Sequence, residues 1–147
     1  MDFDTRVKLQ IYTLISEQAT APTAGEVAAA LSAPVEQVEE AFRNLAGKRL
    51  LVLEPGSSSR IRMAPPFSGI PTGFRVEVGA RSYDANCVWD SLGVAAALGA
   101  DAIIHAADGY TGEAIDLVVK DGQPEAQDCV AHFAVPAAHW WDDIVYT

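Results

Sequence analysis

Basic residues are scarce in this chain. Ten Lys and Arg stand against twenty Asp and Glu over 147 residues, a net charge of −10. A surface of that sign repels phosphate, which excludes nucleic acid or an anionic membrane held by general electrostatics. Cysteine is nearly absent. Two residues, Cys87 and Cys129, are too few for a disulfide scaffold and suit a reduced, cytoplasmic protein with free thiols. No apolar run approaches the roughly 18 residues that a membrane-spanning helix needs. The opening Met1, Asp2, Phe3, Asp4 is acidic and no apolar stretch follows it, unlike a secretory leader. There is no glycine-rich phosphate loop and no Ser/His/Asp set at a convincing spacing, so no cofactor is expected. No internal repeat is visible.

What is present is unevenly charged. Residues 1–64 hold seven basic and eight acidic residues, whereas residues 65–147 hold three and twelve. The two parts are expected to do different things. In the first, Val7, Ile11, Leu14 and Ile15 recur at helical spacing. Thr23 and Glu26 form a capping-box pattern that opens a short second helix. Pro34 suits the first position of a third, with Val35, Val38, Phe42 and Leu45 inward and Gly47 as its stop. Residues 50–53 and 60–63 read as a hairpin around a Pro-Gly turn. Three helices and a hairpin make a winged-helix-like module over residues 1–64. Its third helix exposes Glu36, Glu39 and Glu40 with the one Arg43, the reverse of what phosphate contact needs. A structural or dimer-forming role fits better than DNA binding, so a homodimer is among the expected assemblies.

Residues 65–73 have linker composition, rich in proline and glycine. Residues 74–147 read as an α+β core, a mixed or antiparallel sheet with one packed helix. Its elements are a strand at 74–78, a helix at 87–98, strands at 102–106 and 113–119 around a glycine-bounded turn, and a strand at 129–135. Ile144, Val145 and Tyr146 are strand formers at the end of the sequence, as though an element were cut.

Chemistry concentrates in residues 83–92. Cys87 and Asp90 are three apart at a helix start, so they share one face with about 5–6 Å between Cβ atoms. The helix dipole and free backbone N–H groups favour a thiolate there, and the carboxylate can carry a proton. The plainer alternative is that Asn86 caps the helix, Cys87 is a small buried residue and Asp90 sits favourably in the first turn. Cys129 and His132 point to opposite faces of their expected strand, which argues against joint ligation. His105, Cys87 and His132 would make a soft copper or zinc site only if the fold gathered them. Trp140, Trp141, Asp142 and Asp143 suit either a pocket wall or packing beside a solvated turn. Exposed, the tryptophans would favour poor solubility or dimerisation.

Residues 83–92, the strand-turn-strand at 103–119 with Thr111 and Gly112, and the segment ending Val135, Pro136 together resemble the organomercurial (alkylmercury) lyase family. The helical first module fits as well. The resemblance implies a mixed-sheet catalytic core and protonolysis of a carbon–mercury bond. It implies Cys87 as the catalytic thiolate, binding the mercury of the substrate, and Asp90 as the catalytic acid. A soft cation prefers thiolate, and a nearby acid must protonate the departing carbon. The family's second catalytic cysteine is placed by this matching about ten residues past Pro136, at or beyond Thr147. Cys129 lies on the preceding expected strand. External thiols are therefore expected as partners. The alternatives from other classes are a non-catalytic metal- or small-ligand-binding relative, and a winged-helix regulator with a sensing core.

Overall fold

The computed structural model describes residues 1–125 and 128–145. It begins with three helices, α1 (Phe3–Gln18), α2 (Ala24–Leu31) and α3 (Val35–Gly47). The apolar stripes read from the sequence close the core between them: Val7, Ile11, Leu14 and Ile15 of α1, Val27 of α2, and Val38, Phe42 and Leu45 of α3 are buried. Val35 is the exception. It stands 38% exposed at the first turn of α3, before the helix reaches its neighbours. The capping box forms as expected. The Glu26 N–H donates to Thr23 Oγ1, and the Thr23 N–H donates back to Glu26 Oε2 at 2.7 Å. On α3, Glu40 holds Arg43 at 2.6 Å, so the helix's exposed charge stays negative.

A small antiparallel sheet follows, ordered β1 (Val52–Leu53), β2 (Ile61–Ala64) and β3 (Phe67–Ser68). The third strand lies in the stretch whose composition suggested a linker. Its proline-rich approach is a turn with a cis Pro65–Pro66 bond, and Phe67 makes it an anchor. That ring is 3% exposed and sits between Tyr12 of α1 and Tyr83, at centroid distances of 6.2 and 5.8 Å. Phe67 also bridges to Ala85. Truncating such a side chain loses its transfer energy and leaves a cavity. Phe67→Ala is expected to cost about 3–5 kcal/mol, seen as a lower urea midpoint at unchanged slope.

The second sheet is antiparallel throughout, with spatial order β5-β4-β6-β7-β8. Its strands are β4 (Arg75–Val78), β5 (Arg81–Asp84), β6 (Ala102–Ala107), β7 (Ala114–Lys120) and β8 (Gln123–Pro124). The helix α4 (Val88–Leu98) packs on one face, where Val76, Ile104, Val94 and Ala95 are buried. The fold is thus α+β, three packed helices followed by antiparallel sheets with one packed helix. At the β6–β7 turn, Asp108 Oδ1 accepts from the backbone of Tyr110 and Thr111. The two parts are joined through α1: the Tyr83 hydroxyl donates to the Ser16 carbonyl at 2.9 Å, and Arg81 Nε donates to that of Glu17 at 3.1 Å.

The strand expected at 129–135 does not form. Residues 129–133 are coil and 134–135 a bend. Both of its alternating faces are apolar, so a strand there needs cover on both sides and a paired edge. The edge strand β8 is two residues long and ends at Pro124, which has no N–H to donate. The chain closes with a 3-10 turn at Ala137–Asp142. Ile144 and Val145 lie in a turn rather than a strand, and Tyr146 lies outside the described residues.

On the open face of the second sheet, His105 lies between two carboxylates. Its Nδ1 is 2.7 Å from Asp116 and its Nε2 is 3.4 Å from Glu77. The Asp116 hydrogen bond, with Glu77 behind it, raises the His105 pKa above its ordinary 6.5. Because the folded value is the higher one, the stabilisation is complete below pH 6.5 and is lost as pH rises through the raised value. The cluster is exposed, so the effect is small. His105→Ala is expected to flatten the stability–pH curve in that window, measured by urea unfolding across pH 5–9.

Candidate active site

The candidate site forms where β5 hands over to α4. Cys87 is the N-cap residue, with extended backbone, and its sulfur accepts from the Asp90 N–H at 3.5 Å. The sequence pointed to Asn86 as the cap. Asn86 instead turns back toward the first sheet, its Nδ2 donating to the carbonyls of Pro66 and Phe67 at 3.3 and 3.4 Å. Ser91, fully buried, donates its hydroxyl to the Cys87 carbonyl at 3.0 Å and fixes the first turn. One turn along, Gly93 allows α4 to lie directly on Pro66: a Cβ there would meet the proline Cβ at 3.0 Å.

Cys87 and Asp90 are each half-buried, one helical turn apart, and are joined by the contact of the Asp90 N–H with the Cys87 sulfur. Burial raises the thiol's pKa. The backbone N–H groups of Asp90 and Trp89 pull it down, the Asp90 carboxylate pushes it up again, and the net direction is upward. The expected dipole-stabilised thiolate is therefore corrected to a resting thiol: partial desolvation and a neighbouring acid outweigh the helix end. Burial also raises Asp90, with the Asn86 and Cys87 hydrogen bonds opposing it. Two groups whose proton affinities are both raised, side by side, are suited to holding one proton and passing it on.

Tyr12 was not singled out by the sequence except as a flank of the α1 stripe. Its phenol donates to the Pro65 carbonyl at 2.8 Å. Burial, then the charge of Asp90, raises its pKa, which puts it within electrostatic reach of the site. No sequence signal could have found this, because the contact joins residues far apart in the chain.

Around the site lie aromatic rings. Trp89, 57% exposed, meets the edge of Phe133 at 6.4 Å, and Phe133 meets Trp140 at 5.3 Å. The Trp140 indole donates to the Val135 carbonyl at 2.8 Å, and Arg49 stacks over Trp141 at 5.5 Å. The closing coil thus meets α4 through Phe133 and meets Arg49, just past the end of α3, through Trp141. Cys129 is exposed on that coil. The His105, Cys87, His132 grouping is not assembled: among the described residues no three His, Cys, Asp or Glu side chains converge to hold a metal. An apolar groove of 630 Å³ runs between α4 and the β7–β8 edge, lined by Leu92, Ala95 and Val119, but Cys87 and Asp90 do not line it. No helix among the described residues is long and apolar enough to cross a membrane.

The model of the MerB family, described as alkylmercury lyase, matches residues 67–147. The solved structure of the mercury-bound form of MerB2 superimposes with a TM-score of 0.59 at 24% identity, over 83% of this chain and 66% of that one. The chain thus spans just under two thirds of that relative's length, and the likeness shows the fold. No curated protein matches by sequence. With more than half of its residues inside the family match, including β3 to β8, α4 and the Cys87–Asp90 pair, this chain belongs to the alkylmercury lyase family.

Proposed function

We propose that the protein cleaves carbon–mercury bonds by protonolysis, with Cys87 as mercury ligand and Asp90 as proton carrier. The observation that carries this reading is the half-buried Cys87–Asp90 pair at the start of α4, inside the family match. Mercury is soft and thiophilic, and sulfur is the softest ligand a protein offers. As the Cys87 sulfur bonds to the mercury of R–Hg–X, its proton passes to the Asp90 carboxylate. The raised affinity of Asp90 suits it to that proton. The electron pair of the carbon–mercury bond then takes the proton from Asp90. The hydrocarbon R–H leaves, the carboxylate is restored, and Hg(II) remains on the Cys87 sulfur with X as its other ligand. An acid of raised pKa beside the reacting atom is what such a transfer needs.

A second sulfur on mercury weakens the bond to carbon further and lets the ion depart. External thiol fills that place in this account. Cys129 is the second reading, favoured by one observation: it is exposed on a coil that, four residues on, meets Trp89 through Phe133. On that second reading Cys129→Ser slows turnover at low external thiol and is rescued by excess thiol, whereas with external thiol as the second sulfur it leaves the rate unchanged, measured as initial rate against thiol concentration. The function itself is tested by incubating the protein with an organomercurial and excess thiol and measuring hydrocarbon release. Tight mercury binding without release would favour the non-catalytic binding relative instead.

A further inference from the structure

The aromatic rings beside the reacting pair have no part in the chemistry above. Trp89 stands between Cys87 and Asp90 in the first turn of α4. A helical side chain leans back toward the N-terminal end of its helix. The Trp89 indole therefore leans toward the end of α4 that Cys87 caps, and it is 57% exposed. Phe133 meets it edge to face, with centroids 6.4 Å apart and planes at 71°, and is itself 41% exposed. Behind Phe133, at 5.3 Å, lies Trp140, whose indole N–H is fastened to the Val135 carbonyl. Two segments far apart in sequence thus bring large apolar rings to one end of one helix and leave two of them partly open. Apolar surface left open beside a site marks a place where a ligand lies.

We infer that Trp89 and Phe133 seat the organic group of the substrate and favour an aromatic one, so that the protein discriminates for arylmercury over methylmercury compounds. The occupant follows from a covalent tether. A group bonded to a mercury on Cys87 stays within a few bond lengths of that sulfur, at the helix end where the rings stand. An aryl group offers a face and an edge to two rings already set edge to face, and such pairs gain beyond the area they bury. A methyl group covers little of either ring. The effect on turnover rests on the function proposed above; the seating needs only Cys87 as the mercury ligand.

Trp89→Ala is expected to lower kcat/KM for phenylmercury relative to methylmercury by about two- to tenfold. Benzene and methane released from a mixture of the two read this ratio, in which the different reactivity of the two bonds cancels between variants. Phe133→Leu shifts it in the same direction. Tyr110→Ala removes a ring that is 98% exposed at the β6–β7 turn and leaves the ratio as it is. An unmoved ratio in Trp89→Ala and Phe133→Leu overturns the inference. The seating itself is read without turnover. With phenylmercury on Cys87 of the Asp90→Asn, Cys129→Ser double variant, NMR cross-relaxation is expected between the phenyl protons and the Trp89 indole. Absence of that contact overturns the inference even where Trp89→Ala does not fold. So do Trp89 resonances that move with protein concentration and not with phenylmercury, which would give the rings to a second copy of this chain. Ring contact with no hydrocarbon release from the wild type supports the inference and removes the proposed function. Release with neither ring contact nor a changed ratio does the reverse.

Discussion

Cys87→Ser is expected to reduce hydrocarbon release from an organomercurial to the rate of free thiol in the buffer. A serine hydroxyl is a hard, neutral donor and makes no useful bond to mercury. The substitution separates chemistry from folding. Cys87 occupies the N-cap of α4, where its sulfur takes the Asp90 N–H at a long 3.5 Å. Serine is among the preferred residues at that position and makes the same bond at shorter range. The variant should therefore unfold at the wild-type temperature or slightly above it while losing activity and mercury retention. Gas chromatography of the released hydrocarbon, alongside thermal denaturation, reads both.

Asp90→Asn is expected to split binding from cleavage. Asparagine keeps the shape of the side chain but cannot accept the thiol proton and return it to carbon. General acid–base groups contribute about 10²–10⁴-fold, and a loss of that order is expected, with mercury still bound at Cys87. Stability moves the other way. Burial raises the folded-state pKa of Asp90 above its ordinary 3.8. Stability associated with this group is complete below pH 3.8 and declines as pH rises through the raised folded value. Near neutrality the folded protein carries a partly desolvated charge that asparagine removes. Asp90→Asn should thus be as stable as wild type or more so at pH 7, and the difference should close on acidification. Single-turnover hydrocarbon release and urea unfolding at pH 4 and pH 7 test the two halves.

The parts of this molecule that were legible in the sequence are those set by local periodicity and capping. The α1 stripe of Val7, Ile11, Leu14 and Ile15, the Thr23–Glu26 box and the β6–β7 turn at Asp108 each depend on residues a few positions apart. Each forms as expected. The Cys87–Asp90 adjacency is of the same kind, fixed by one helical turn. What could not be read was set by distant contacts. Proline and glycine made residues 65–73 look like a tether, yet Phe67 is buried between rings from α1 and β5. Alternation made 129–135 look like a strand, but alternation without a partner edge gives coil. The thiolate expectation failed for a related reason. The helix end that favours it is local and visible in sequence, whereas the desolvation that opposes it comes from the packing around α4.

The resting thiol also changes how the site is understood to work. A preformed thiolate would need no base on substrate binding. On the proposed function, a protonated Cys87 beside Asp90 would make mercury binding and proton movement one event and would supply at the reacting centre the proton that carbon must receive. The helical module packs on the Pro65–Phe67 turn through Tyr12, whose phenol donates to the Pro65 carbonyl and whose ring meets Phe67.

The central claim is that the Cys87–Asp90 pair breaks the carbon–mercury bond rather than merely holding an organomercurial. Intact-protein mass spectrometry after a single addition of an organomercurial, before external thiol is supplied in excess, reads this directly. The account predicts an adduct of mercury on Cys87 that has lost its organic group, with one hydrocarbon released for each ion retained. An adduct that keeps its organic group, with no hydrocarbon formed, would contradict it.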